Sequence, residues 1–528
     1  MALIVSDPRG PGLDRVQAYH LYCSNDAMGA REIFDILYPR LTIEQRKFYN
    51  ATMAFLSPTL AMTLRGTRID EGALVEALRL REGEELDAVE RLRRYPRLLE
   101  LWDEKEPWDN KRDGYCQDTG KSHTWSPRGA EPGAQTCGKC GVARLVTKPL
   151  NPHSSPQMAR LLYDKLGMKR RYSRKTGEVT TDDEALEALA AKYPDNAELI
   201  DEILLAREAR KQVAVLKSRR DADGRWRASF NVSGAETDRM SSSKSAYRTG
   251  SNMQNIAERS RNIFAADPGL IMFYADLEQA ESRVVAADAE CSQDMEDHAS
   301  GDTHTGLAKN IFPHLPWGTA PDKDIAKTPL LWDPEHDHRH VAKIVRHGTN
   351  IGMTPWGIQR QLHCTLAEAK YYRAAYFERY PENLRRQQEV RAEVAATGAL
   401  TNPLGRTRLF LGRPWDEQTM KEALAQTQQS AIAWVLNVAM WRIWHELDGR
   451  TNIWAPPRPS DPNCVWLLGQ IHDAVLGLVR PNDTTTLRRL QEILETPIEI
   501  RGRQVVIPAE ILIGKSWSKK DLTIWRPK

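Results

Sequence analysis

The chain has 528 residues, 41% of them hydrophobic and 27% charged, with a formal net charge of only +3 at neutral pH. That length exceeds what one hydrophobic core organises, so two or three packed subdomains are expected, and the apolar share excludes a largely disordered chain. The first thirty residues lack a basic start followed by a long apolar run, so neither a signal peptide nor a membrane anchor is visible and the chain reads as cytoplasmic, with no membrane partner.

Residues 27–108 carry apolar positions at helical spacing, through IFDILYPRL and ALVEALRLREGEELDAVERLRRYPRLLELW, and are predicted helical. Between about 109 and 150 the pattern breaks into Gly, Pro, Ser and Asp, and three of the seven cysteines fall here. Cysteines so grouped do not read as a secreted disulfide framework. Cys116, His123, Cys137 and Cys140 instead predict a tetrahedral structural zinc site, from which a loop without its own core would gain its fold. Reduced cysteines in an open loop are the alternative. The following run, TTDDEALEALAAKYPDNAELIDEILLAREARKQVAVL, opens on an Asp/Thr capping signal and predicts a long helical hairpin.

Three basic stretches, KRRYSRK (169–175), KSRRDADGRWR (217–227) and RHVAKIVRH (339–347), can face phosphate or serve as solvated surfaces. From residue 270 onward, short apolar runs alternate with amphipathic helices, which predicts a mixed α and β region. Two of these runs end on a carboxylate. LIMFYAD places Asp276 at a strand tip, and LLGQIHD places Asp473 in a strand–turn–strand context. Buried strands rarely carry unpartnered carboxylates, so the pair suggests shared divalent cations, with magnesium suited to hard oxygen ligands. Ordinary turn residues at strand ends are the plainer reading.

The surroundings of the two aspartates carry a resemblance. DLEQAESRVVA (276–286), KIVRHGTNIGMTPWG (343–357) and IHDA (471–474) resemble, in order, the three polymerase motifs of the DNA polymerase I family. TDRMSSSKSAYRTGSNMQNI (237–256), GDTHT (301–305), NPLGRTR (402–408) and QTQQSAIA (426–433) resemble further segments of that family, over roughly residues 20–525 apart from the cysteine insert. The resemblance implies an α+β right-hand fold, with an antiparallel palm sheet, helical fingers and a helical thumb bearing the zinc insert. It divides the chain into a vestigial exonuclease-like end and linker (1–50), thumb (51–236, insert 109–150), palm (237–300), fingers (301–400) and second palm part (401–528). It implies a two-metal DNA polymerase acting on primer–template DNA and deoxynucleotides.

By the same resemblance, Asp276, Asp473 and the Leu277 carbonyl would hold two magnesium ions. Glu281 would exclude a 2′-hydroxyl, and Gln279, Arg339, Lys343, Ile351 and Trp356 would meet the nucleotide. Arg239, Gln254, Asn255, Gln428 and His472 would meet DNA. Residues 339, 343, 347 and 351 fall four apart, on one helix face. His347 stands where the family has a lysine that protonates pyrophosphate, and a free histidine, titrating near pH ~6.5, is only partly charged at neutral pH; Arg346 is expected to supply some of the missing charge. Ile351 replaces an aromatic residue, so strong discrimination against dideoxynucleotides is expected, and Ala474 replaces an auxiliary glutamate. Pro355 adds a residue to the turn before Trp356.

Tyr22 and Asp26 resemble the last motif of the family's proofreading exonuclease, whose other carboxylates are missing; proofreading by this chain alone is not expected, and a separate exonuclease subunit would have to complete the site. The insert occupies a slot where small-phage relatives recruit a processivity factor, and the compact organisation suggests a phage source, hence a bacterial host cytoplasm. A single-subunit RNA polymerase and an inactive DNA-binding scaffold are the competing readings.

Overall fold

The computed structural model describes residues 15–526 except 96–97, 99–100, 103–104, 108–112, 127–135, 143–144, 148, 174–175, 332, 335 and 449–455. The start of the region read for a leader, parts of the cysteine insert and the end of the basic run 169–175 therefore lie outside the described residues.

The first half is helical, and its capping residues explain where the helices begin. Thr42 opens Ile43–Ala54 with a capping box to Gln45, and Asp70 opens Glu71–Arg93 by accepting from the Ala73 N–H at 2.9 Å. Asp182 likewise caps Asp183–Lys192, and one turn at Pro194–Asn196 leads into Ala197–Leu216, so the predicted hairpin forms. Its second helix packs lengthwise on Glu71–Arg93, where buried Ala77, Ala88, Ala206 and Ala209 let the backbones approach and Arg91 bonds Glu202 at 2.7 Å. Between these helices, the antiparallel pair Lys105–Pro107 and Leu145–Thr147 forms the neck of the cysteine insert.

The second half is built on an antiparallel sheet. β1 (Ile271–Leu277) turns at Gln279, left-handed at φ 51°, into α1 (Ala280–Asp288). Then follow α2 (His338–Asn350), the 27-residue α3 (Glu417–Ile443), the hairpin β2 (Val465–Ile471) and β3 (Ala474–Val479), β4 (Ala509–Gly514) and the short β5 (Thr523–Ile524). The strand order is β2-β3-β1-β4-β5, every neighbour antiparallel. Every residue of β2 and β3 is buried, Gln470 included, so their largely apolar runs reflect cover on both faces. Gly477 has no room for a side chain, since a Cβ there would lie 2.5 Å from the Phe273 ring opposite it.

α3 packs Ala431, Ile432, Val435, Leu436 and Met440 into the same core as the sheet, and Met62 of Leu56–Arg65 joins them. A second core, between residues 289 and 384, takes Val341, Ala342 and Val345 of α2; a third lies between the first-half helices. Among the described residues no helix is long and apolar enough to cross a membrane.

Candidate active site

Strand register builds the centre of the site. β3 pairs with β1 so that Ala474 lies opposite Asp276, and the two residues joining β2 to β3 are His472, left-handed at φ 56°, and Asp473. This tight reversal sets Asp473 beside Asp276, and the Leu277 N–H donates to the Asp473 backbone carbonyl at 3.2 Å. On the other side β4 places Glu510 opposite Asp276, and directly opposed residues share a face of the sheet. Glu510 is a third carboxylate beside the pair that no local motif marks.

Asp276 reaches solvent in the cleft, yet the protein massed around it, followed by the like charges of Asp473 and Glu510, raises its carboxyl to about 6. Arg239 is the basic side chain found at the pair, donating to Asp473 at 3.1 Å and forming an ion pair with Glu281. Oxygen donors concentrated at an open cleft, with the charging of one carboxylate disfavoured, are a donor set that suits a hard divalent cation.

The cleft above them encloses about 450 Å³. Asp276, Leu277, Gln279, Glu281, Arg239, His472 and Asp473 line it, as do Lys343 and His347 of α2. Helical phase explains the last two: α2 turns Val341, Ala342 and Val345 into the core and leaves Lys343 and His347 exposed, with no hydrogen bond or ion pair among the described residues. Asp337 caps that helix, accepting from the His340 N–H at 2.6 Å. Gln279 accepts from the Thr303 hydroxyl at 2.7 Å. Glu281 is largely enclosed, and burial raises its pKa against the opposing pull of Arg239.

Other expected residues stand elsewhere. Arg339 leans on Asp302 at 3.1 Å and is not among the cleft-lining residues. Ile351 is the residue that closes α2; it is half-buried and not among the cleft-lining residues. Trp356, 67% exposed at the start of Pro355–Leu362, does not line the cleft either. Gln428 is fully buried in α3; the next residue, Gln429, reaches the cleft. Gln254 spends its amide donor on the Met240 and Gln470 carbonyls at 3.0 and 3.3 Å, and Asn255 is exposed outside the cleft lining.

Arg346 does not supply free charge for His347: its guanidinium is buried and paired with Asp294. The cleft is also lined by Ala280, Ser282, His304 and Asn350, which were not singled out from sequence, and by Arg346. Burial, ahead of the positive charge of Arg346 and Arg339, pushes His304 down to about 3, which leaves a neutral imidazole in the wall.

In the insert, Cys116, His123, Cys137 and Cys140 bring one ligand atom each within 4.8 Å of all the others. The Cys116 and Cys137 sulfurs are 4.0 Å apart, and Cys140 Sγ is 3.3 Å from His123 Nδ1. Tetrahedral zinc with sulfur bonds of about 2.3 Å needs sulfurs about 3.8 Å apart, so the group fits. Two backbone turns of one design present the thiols. The Cys116 N–H donates to the Lys121 carbonyl at 2.9 Å and the Cys137 N–H to that of Val142 at 2.8 Å, with Gly120 and Gly141 left-handed at matching places. The backbone N–H of Cys140 leads the causes that lower the Cys137 thiol to about 5, the thiolate state a metal requires.

The sequence profile of DNA polymerase family A matches residues 141–519. Thermostable DNA polymerase I of Thermus filiformis is 26% identical over 411 residues, covering 72% of this chain and 43% of that protein. DNA polymerase I of Helicobacter pylori is 24% identical over 391 residues, covering 72% of this chain and 39% of that protein. The chain thus spans less than half the length of these relatives. The POL domain of Pol1 from M. smegmatis, solved in complex with DNA primer-template and dNTP, aligns with a TM-score of 0.62 at 22% identity, over 88% of this chain and 70% of that one. That likeness is one of fold.

Proposed function

Because the chain belongs to DNA polymerase family A, we propose that it is a template-directed DNA polymerase that extends a primer 3′-hydroxyl with deoxynucleotides. The observation that carries the reading is the register that sets Asp276 and Asp473 side by side at the end of adjacent strands, beneath a helix presenting Lys343 and His347. On this reading the sheet and α3 form the palm, α2 and the core between 289 and 384 the fingers, and the hairpin 183–216 with Glu71–Arg93 the thumb.

Asp276, Asp473 and the Leu277 carbonyl would hold two magnesium ions, which supply Lewis acidity for the attacking and the leaving oxygen. The protein's own part is positioning and electrostatics. Lys343 would offset triphosphate charge, His304, on the helix Thr303–Ile311 packed against α2, would donate as a neutral imidazole, and His347 would pass a proton toward the departing pyrophosphate. Glu281 would stand against the sugar edge, where a 2′-hydroxyl has no space. Arg239 would exchange its carboxylate partners for the minor-groove edge of the primer terminus, whose acceptors are shared by every base pair.

Primer extension on a defined DNA template with magnesium, comparing deoxynucleotides with ribonucleotides, tests the reading; a chain that binds primer–template but never extends it overturns it. His347→Ala is expected to slow extension about 10- to 100-fold at saturating nucleotide while changing template affinity less than about threefold. Unchanged rates would remove the proton-transfer role.

For the insert we propose one structural zinc held by Cys116, His123, Cys137 and Cys140. The support is the mutual approach of four ligand atoms and the paired turns that carry the thiols. Elemental analysis is expected to find about one zinc per chain, lost on Cys137→Ser. Equal zinc in both proteins would remove the assignment.

A further inference from the structure

Several buried polar groups converge on one hydroxyl. Ser282 follows Glu281 in α1, and its Oγ accepts from Arg346 Nε at 2.9 Å, with His298 Nε2 at 3.2 Å and Asn350 Nδ2 at 3.5 Å. Arg346 and Asn350 lie four apart in the last turns of α2, so this hydroxyl fastens the carboxylate-bearing helix to the cation-bearing one.

The fastening is itself anchored. Arg346 donates to the Tyr380 hydroxyl at 2.9 Å and pairs with Asp294. Asn383 donates to Asp294 at 2.9 Å and to the Tyr376 hydroxyl at 2.8 Å, and Tyr376 donates to Asn350 Oδ1 at 2.5 Å. Arg346, Asp294, Asn383, Tyr376 and Tyr380 are each no more than 1% exposed. A charge so buried tolerates little displacement, because each lost partner leaves an uncompensated group in a low-dielectric interior. The planar guanidinium also fixes the direction of its bonds. Ser282, Arg346 and Asn350 carry this rigid assembly to the cleft wall, and Ser282 does so next to Glu281.

We propose that Arg346 is a positioning residue for sugar selection: acting through Ser282, it fixes Glu281 relative to α2 and so sets the gap that admits a deoxyribose and refuses a ribose. The inference rests on the proposed role of Glu281 at the sugar edge. Arg346 borders the cleft, but its guanidinium is taken up by Asp294, Tyr380 and Ser282, so its part is that of a positioning residue.

The test measures single-nucleotide insertion of matched deoxy- and ribonucleotides by the wild type, Ser282→Ala, Ser282→Thr, Arg346→Lys and Glu281→Ala. Ser282→Ala and Arg346→Lys are expected to raise relative ribonucleotide insertion about tenfold, since displacement of a positioned group by an ångström changes rates by up to about a hundredfold. Ser282→Thr, which keeps the hydroxyl, is expected to stay within about threefold of wild type. Ser282→Ala placed on Glu281→Ala should add nothing, because the group being positioned is gone.

An unchanged selectivity ratio in Ser282→Ala with Glu281→Ala selectivity lost overturns the positioning role alone. Unchanged selectivity in Glu281→Ala overturns the sugar-edge reading and the inference with it. Should Arg346→Lys fail to fold, Ser282→Ala alone decides between these outcomes.

Discussion

Asp276→Ala and Asp473→Ala are each expected to reduce primer extension at least about a thousandfold, because every charge formed in phosphoryl transfer has to be met at the place these two carboxylates define. Template binding should persist, or tighten slightly as negative charge leaves the cleft. The two losses should not add: once one carboxylate is missing, the other has lost its task, so the double variant should match the worse single one. Single-turnover extension measures this, with primer–template affinity determined on the same proteins. Residual rates within tenfold of wild type would place the chemistry elsewhere in the cleft. Asp473 depends on the His472 turn for its place, and Asp276 on its pairing with Ala474, so the arrangement tolerates little slippage of register.

Asp448→Ala is expected to destabilise the fold by about 3–5 kcal/mol, the cost of leaving a buried arginine without its counter-ion. Arg65 grips Asp448 through two bonds of 2.7 and 2.9 Å, with both side chains no more than 2% exposed, and also donates to the Leu467 carbonyl at 2.6 Å. Asp448 in turn accepts from the Leu467 N–H at 2.8 Å and from Asn463 at 3.0 Å. One ion pair thus ties Leu56–Arg65 to β2, the strand that leads to Asp473. Replacing both partners by leucine should cost less than removing either, because no charge is then stranded. Denaturant titration of the single and double variants checks both statements; a single-variant change below about 1 kcal/mol would refute the first.

What could be read in the sequence was what is local. Asp276 and Asp473 stood out because each ends an apolar run, and the Cys/His group of the insert because its residue types and spacing are restrictive. Capping residues announced the hairpin through Asp182. Features set by tertiary register were not legible. Glu510 meets Asp276 only because β4 lies beside β1, more than two hundred residues later in the chain. Gln428 and Gln429 differ in one step of phase on a helix buried on most sides, where apolar periodicity carries little signal. Arg346 sits in a basic run that looks solvated, yet its counter-ion, Asp294, belongs to a different helix, Ser292–Ala299. Ile351 closes α2 and does not line the cleft, which spacing along the sequence does not reveal.

The neck at Lys105–Pro107 and Leu145–Thr147 brings the two ends of the cysteine module together as neighbouring strands. Seen from the helices on either side, the entry to and exit from the module lie together, no further apart than in a tight reversal of the chain. A unit joined in that way can be acquired, discarded or exchanged over evolutionary time without re-registering the helices that flank it. Its lineage therefore need not follow that of the body that carries it.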